Sequence, residues 1–304
     1  MQRSIMSTNN KISLAGIYPT LPTPFYGNGD IDLNRLHRNL LRNSDYCSGY
    51  VLQGSNGEYV LLDHEERELL VAYARRVIPS RKLLIVGSGM ESTRATIDWT
   101  KCMSDAGADI VLVITPHYYG ESMSRKALES HYMRIASESP VPVLLYSAPM
   151  FTGLDLPVEV IKVLSDHNNI IGIKESSGDV HKIKRLADET SENFQVLTGS
   201  SSQFLAGLNA GAIGGILALA NIAAKSLSEL MYLFSQGEIE RAEKLQIHLV
   251  PITKVLKKHC GIAGLKAALE MIDKCGGEVR SPLLSLIDSE KDELRYILEQ
   301  TGLL

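Results

Sequence analysis

Eight times along this 304-residue chain, a short apolar run rich in β-branched residues is followed by a Gly-, Ser-, Thr- or Pro-bearing turn and then an amphipathic stretch of helical period. The apolar runs are Gly16–Leu21, Gly49–Gln53, Leu83–Gly87, Ile110–Ile114, Val141–Tyr146, Ile170–Lys174, Phe194–Thr198 and Ala212–Leu217. Helical patterns alternate with them over Asp32–Asp45, His64–Val77, Ser92–Ala106, Ser124–Glu138, Pro157–Ser165, Val180–Glu189, Ser201–Asn209 and Ala223–Ser235. Near-continuous hydrophobic runs such as Ile110-Val-Leu-Val-Ile114 suit parallel strands buried on both faces. Eight such strands, each followed by a helix, close into an α/β fold of the (β/α)8 TIM-barrel class, whereas a doubly wound sheet needs fewer. Beyond Ser235 only helical patterns remain, Glu238–Lys258, Ile262–Asp273 and Glu290–Thr301. The expected organisation is a flexible leader over 1–11, the barrel over 12–235 and a C-terminal helical appendage over 236–304.

Charge and composition exclude several partners. With 31 Lys+Arg against 35 Asp+Glu the net charge is −4, and no basic tract offers the electrostatic footprint of a nucleic-acid binder. Cys47, Cys102, Cys260 and Cys275 are widely spaced, without a C-x-x-C pair, which fits a reducing compartment rather than a zinc ribbon or a disulfide framework. The leader MQRSIMSTNNK is basic but has no apolar core for secretion, so the expected location is cytoplasmic, with mitochondrial import as the alternative. Phe204–Ala224 is 21 residues without a charge, long enough to span a bilayer. Its glycines and asparagines instead predict a helix, a buried strand and a helix start in succession, with no membrane insertion.

Barrel enzymes carry their chemistry where strands end, so polar residues at the ends of the apolar runs are the candidates. Lys174 ends Ile170-Ile-Gly-Ile and alternates with Gly172 and Ile170, so it is expected to point inward among apolar neighbours. Withdrawing water from an amine favours its neutral form, the form that attacks a ketone. Tyr146 ends the preceding strand, one strand from Lys174, where a phenol can exchange a proton with a substrate hydroxyl. The turn Gly54-Ser-Asn-Gly-Glu58 offers Ser55 and Asn56 as donors to a carboxylate, while Glu58 is read as structural. Thr115-Pro-His-Tyr-Tyr-Gly120 places adjacent aromatics suited to packing or an interface, with a hydroxyl that could extend a proton path.

No H-E-x-x-H, P-loop, G-x-G-x-x-G or G-x-S-x-G occurs, so no metal site is expected and nucleotide and serine-hydrolase chemistries lack their usual marks. Gly199-Ser-Ser-Ser202 and Gly211–Gly215 are the kind of loops with which barrels hold phosphate, which keeps a phosphosugar isomerase as a rival. That rival needs a carboxylate base at a strand end, and none is evident.

Taken in order, G-S-N-G-E, T-P-x-Y-Y, Y-S-x-P-x-x-T-G-L-D-L-P and G-I-K-E-S resemble the dihydrodipicolinate synthase/N-acetylneuraminate lyase family, over about Leu14 to Leu304. These are class I pyruvate-dependent aldolases and lyases. Within the family the likeness runs to the branch that cleaves 4-hydroxy-2-oxoglutarate to pyruvate and glyoxylate, which shares the G-S-N-G-E loop, the T-G-L-D-L-P turn and a stretch like Gly89-Met-Glu-Ser-Thr93. The resemblance implies that Lys174 forms the imine and Tyr146 acts as general acid/base. It implies that Ser55 links Tyr146 to Tyr118 of a neighbouring subunit, that Asn56 and Ser55 hold the 2-oxo acid's carboxylate, and that Ser176, Gly199 and the backbone of Ile216 line the pocket. It further implies no cofactor, a small-molecule 2-oxo acid substrate and a homotetramer built as a dimer of dimers. On the same imine, cleavage or dehydration of a 2-keto-3-deoxy sugar acid, or N-acetylneuraminate lysis, are the alternatives. Dihydrodipicolinate synthases generally carry an arginine shortly after the Y-x-x-P turn, where this chain has Met150-Phe151. That difference argues against the lysine-biosynthetic reaction.

Overall fold

A computed structural model describes residues 12–258 and 261–304. The leader over 1–11 and Cys260 lie outside the described residues. The eight strands are β1 (Gly16–Pro19), β2 (Gly49–Leu52), β3 (Leu83–Gly87), β4 (Ile110–Ile114), β5 (Val143–Ser147), β6 (Ile170–Glu175), β7 (Gln195–Thr198) and β8 (Gly214–Leu217). All pair in parallel, and β1 sits beside β8 at one end of the sheet order while β2 ends the other. A bridge from Thr20 to Val51, with Ser48 N–H donating to Ile17 O and Leu21 N–H to Val51 O, joins β1 to β2 and closes the barrel. The segment Phe204–Ala224 divides as its composition predicts, into a helix, β8 and a helix start. Among the described residues no helix is long and apolar enough to cross a membrane.

Around the strands run α1 (Leu33–Arg42), α2 (His64–Val77), α3 (Thr93–Asp105), α4 (Arg125–Glu138), α5 (Pro149–Thr152), α6 (Val158–Ser165), α7 (Val180–Glu189), α8 (Phe204–Asn209) and α9 (Ala220–Ser235). The chain then forms α10 (Ile239–Lys258), α11 (Ile262–Asp273) and α12 (Asp288–Gln300). Their starts follow local chemistry: Asp32, Ser92, Ser124 and Asp179 accept N-terminal amide protons, and Asp63 forms a reciprocal capping box with Glu66. The single-turn α5 was not evident in the sequence, because four residues are too few to show a helical period.

Alternation within each strand sorts its side chains. Ile110, Leu112 and Ile114 of β4 face the barrel interior with Tyr18, Val51, Ile85, Leu144, Tyr146, Leu197 and Ile216, while Val111 and Val113 meet the helices. The alternation expected for Lys174 is corrected in one place. The β5–β6 register jumps between Val143 and Leu144, whose partners are Ile170 and Gly172, so Ile170 joins the outer cluster and Ile171 packs on the inner one. Above this irregularity the register is regular, and Tyr146 pairs with Lys174 directly. The C-terminal helices share a continuous apolar cluster with Ile17, Leu217, α8 and α9. They pack against the side of the barrel where β1 and β8 meet.

Candidate functional site

At the C-terminal ends of the strands opens a cavity of about 170 Å³. Lys174, Tyr146, Ser55, Asn56, Ser176, Gly199 and Ile216 all line it, so residues from β2, β5, β6, β7 and β8 converge on one small volume. Lys174 is 4 % exposed, and its Nζ lies 4.1 Å from the centre of the Tyr146 ring. Ser55 Oγ and Tyr146 Oη are 3.2 Å apart, within hydrogen-bond reach. A nucleophilic amine, a phenol and a hydroxyl that can pass it a proton thus stand in sequence.

The Ser55 loop is held in an uncommon conformation. Gln53 and Glu58, on either side of it, both have positive φ (55° and 52°), which costs a non-glycine residue about 1–3 kcal/mol and persists only where partners enforce it. Gln53 exchanges hydrogen bonds with the buried Arg67, donating Nε2 to Arg67 O at 2.6 Å and accepting from Arg67 Nε at 2.9 Å. Burial among Tyr59, Trp99 and Met90 pushes the Arg67 guanidinium down to about 10. Glu58 accepts from the backbone N–H of Arg280 at 2.9 Å and ion-pairs with Lys266 at 2.5 Å, so its structural reading stands. Burial lowers Lys266 to about 8, with the Glu58 carboxylate opposing that shift.

Behind Lys174, a second buried network joins two strand ends. Glu175 points away from the cavity and pairs at 2.7 Å with Lys182 of α7, which also meets Asp155 at 2.5 Å and Ser147 Oγ at 3.3 Å. Because Ser147 and Glu175 are register partners, as are Tyr146 and Lys174, Lys182 ties together the backbones that carry the phenol and the amine. A strand-end carboxylate is therefore present, contrary to the sequence expectation, but its ion pair turns it outward.

Ser176 Oγ and Thr20 Oγ1 are buried at the cavity wall without a hydrogen-bond partner among the described residues, the arrangement expected of groups that await a polar ligand. Ser176 can stand there only because residue 199 is glycine, since a Cβ at Gly199 would lie 1.8 Å from its Oγ. Tyr118 behaves differently: it is 77 % exposed, packs edge-on against Tyr119 and does not line the cavity of its own chain.

Sequence reasoning missed Thr20, Lys182, Thr253 and Lys257. Thr20 is the polar residue within the run Gly16–Leu21 and directly follows β1, so it was open to the same strand-end rule that found Lys174. Thr253 and Lys257 lie on α10, in a segment with no strand to mark it, and only the packing of the C-terminal helices brings them to the cavity.

Comparison with known proteins bears on the family and the fold. The profile of the Dihydrodipicolinate synthetase family matches residues 13–301. A protein of Emericella nidulans named as a probable mitochondrial 4-hydroxy-2-oxoglutarate aldolase is 35 % identical, with 96 % of each chain covered. A 4-hydroxy-tetrahydrodipicolinate synthase of Methanothrix thermoacetophila is 33 % identical over 93 % of this chain and 95 % of the relative. The crystal structure of dihydrodipicolinate synthase DapA-2 from Bacillus anthracis superposes with a TM-score of 0.91 at 30 % identity, covering 95 % of this chain and 98 % of that one. The chain belongs to the dihydrodipicolinate synthetase family and is a (β/α)8 lyase of the class I aldolase type.

Proposed function

We propose that this enzyme cleaves 4-hydroxy-2-oxoglutarate to pyruvate and glyoxylate through an imine on Lys174. The observation that carries the reading is the Lys174–Tyr146–Ser55 constellation in a cavity whose lining, among the described residues, contains two lysines and no acidic residue, within a chain of net charge −4. Such a lining favours a substrate with more than one negative charge and opposes a neutral polyol that would seek carboxylate acceptors.

The chemistry proceeds from the residues. The Lys174 amine adds to the C2 ketone and water leaves, giving a protonated imine. Tyr146 takes the proton of the C4 hydroxyl, the C3–C4 bond breaks, and its electron pair moves into the imine as glyoxylate departs. Protonation of the enamine at C3 and hydrolysis release pyruvate and restore the amine. Ser55 relays the proton held by Tyr146. Ser55, Asn56, Ser176 and Thr20 surround the C1 carboxylate with hydroxyl and amide donors, Ile216 supplies backbone, and Gly199 leaves Ser176 its space. Met150 and Phe151 follow the turn after which the lysine-biosynthetic enzymes of the family generally carry an arginine, and no arginine lines this cavity among the described residues.

Assembly forms part of the same reading. The active unit is a dimer of dimers in which Tyr118 completes the partner's relay through Ser55. What supports this is its 77 % exposure and that it is not among the residues lining its own chain's cavity. A fully active monomer in sedimentation would sink the cross-subunit relay.

The deciding experiment measures pyruvate release from 4-hydroxy-2-oxoglutarate by the wild type and by Lys174→Ala. Release by the wild type, reduced ~10⁴-fold or more in the variant, is the expected result. No release by the wild type, while borohydride and pyruvate still fix a mass at Lys174, would move the substrate to longer 2-keto-3-deoxy acids. A mass fixed at another lysine would remove the nucleophile assignment.

A further inference from the structure

We propose that Lys257, on the C-terminal helical appendage, is the specificity-determining residue for the second carboxylate of the substrate. The inference rests on the dicarboxylate reading above and extends it to the end of the cavity remote from the imine.

Each carboxylate of such a substrate needs its own partners. The C1 carboxylate lies beside the imine carbon and meets the strand-end hydroxyls, including the unpartnered Ser176 and Thr20 oxygens. The C5 carboxylate is three carbons further out. There the short α5 contributes Met150 and Phe151, 70 % and 58 % exposed, neither of which can donate a hydrogen bond from its side chain. Among the described residues lining the cavity, Lys174 and Lys257 are the ones with basic side chains, and Lys174 is committed to C2 as the attacking amine.

The appendage is built to bring Lys257 there. Thr253, Leu256 and Lys257 stand at i, i+3 and i+4 on α10 and share one helix face, and all three line the cavity. Gly261 and Leu265 continue that wall beyond the end of α10. Lys257 also borders the adjoining cleft of about 610 Å³, so it stands at the mouth through which a substrate passes. Its neighbour Lys258 is neutralised by both carboxylate oxygens of Glu293, at 2.7 and 2.8 Å. Lys257 has no ion pair or hydrogen bond among the described residues. An ammonium on a flexible four-carbon stem, facing an apolar wall, suits a carboxylate whose position varies as the bond breaks.

The test compares pyruvate release from 4-hydroxy-2-oxoglutarate and from 4-hydroxy-2-oxopentanoate, which carries a methyl group in place of the second carboxylate. The wild type is expected to prefer the dicarboxylate. Lys257→Met should lower kcat/KM for the dicarboxylate on the order of 10- to 100-fold, mainly through KM, and collapse the preference. Lys257→Arg should restore most of it, and Lys258→Met should leave the preference unchanged. If Lys257→Met keeps the wild-type preference, the assignment of Lys257 is wrong while the substrate reading survives. If the wild type itself shows no preference for the dicarboxylate, yet pyruvate is still trapped on Lys174 by borohydride, the substrate reading fails and takes this inference with it.

Discussion

The two ends of the cavity are built by different means. The inner end is carried on strands: Lys174 is buried, Tyr146 is its register partner, and the Lys182 and Arg67 networks fix the segments around them. The outer end is carried on the short α5 and on the end of α10, where Met150, Phe151 and Lys257 meet solvent. In the roles proposed above, a nucleophile and an acid/base group need rigid supports, whereas recognition of a substrate tail tolerates variation. On that proposal, the chemistry of the inner end can persist while the outer end changes the molecule that is cleaved.

The sharpest way to break this contrast is at the phenol. Tyr146→Phe should lower kcat by ~10² to 10⁴, while borohydride still traps pyruvate on Lys174, because the amine itself is untouched. Loss of trapping together with turnover would mean that Tyr146 acts already in imine formation.

Next in size is the support behind the inner end. Lys182→Met leaves Glu175 buried without its cation and should cost about 3–5 kcal/mol of stability, read as the denaturation midpoint in urea. Lys182→Arg should recover much of it. An unchanged midpoint in Lys182→Met would show that the inner end does not depend on this network.

Acid sensitivity separates the scaffold from the site. Burial pushes His131 of α4 down to about 4 from 6.5; Thr93 Oγ1 lies 2.9 Å from its Nδ1, and its Nε2 has no hydrogen-bond partner among the described residues. The folded protein keeps this imidazole neutral where the unfolded chain binds a proton. Its contribution is therefore complete above pH 6.5 and is lost as pH falls toward 4, a change of about 3 kcal/mol. His131→Asn, which cannot titrate, should flatten stability against pH in that window. An equal slope in the variant would refute the assignment.

The smallest effect is expected at the outer end. Phe151→Ser should raise KM for the dicarboxylate about 10-fold and leave kcat within a factor of about 3, the pattern of lost uniform binding. A collapse of kcat would show that the outer wall also orients the reacting bond.

What could be read from the residues depended on how local the signal was. The alternation along Ile110-Val-Leu-Val-Ile114 announces a buried strand without any knowledge of its neighbours, and the same holds for most of the helices. Lys174, Tyr146 and Ser55 were legible because a polar residue ending an apolar run is a local anomaly. The jump in register that turns Ile170 outward was not, since it depends on how β5 and β6 meet. Lys182 reads as an ordinary helical lysine until α7 is laid beside Glu175 and Asp155.

The order of strands and helices, the barrel they close and the amine–phenol pair were thus settled by the sequence itself. Period and polarity are properties of contiguous residues, and the strand ends of a closed parallel barrel all face one way. Tertiary structure alone decided which side chains share the cavity from distant segments. Thr253 and Lys257 reach it only because the apolar faces of α10 and α11 bury against the β1–β8 side of the barrel. That burial is non-directional and roughly proportional to area, so no short stretch of sequence encodes where it will deliver a particular lysine.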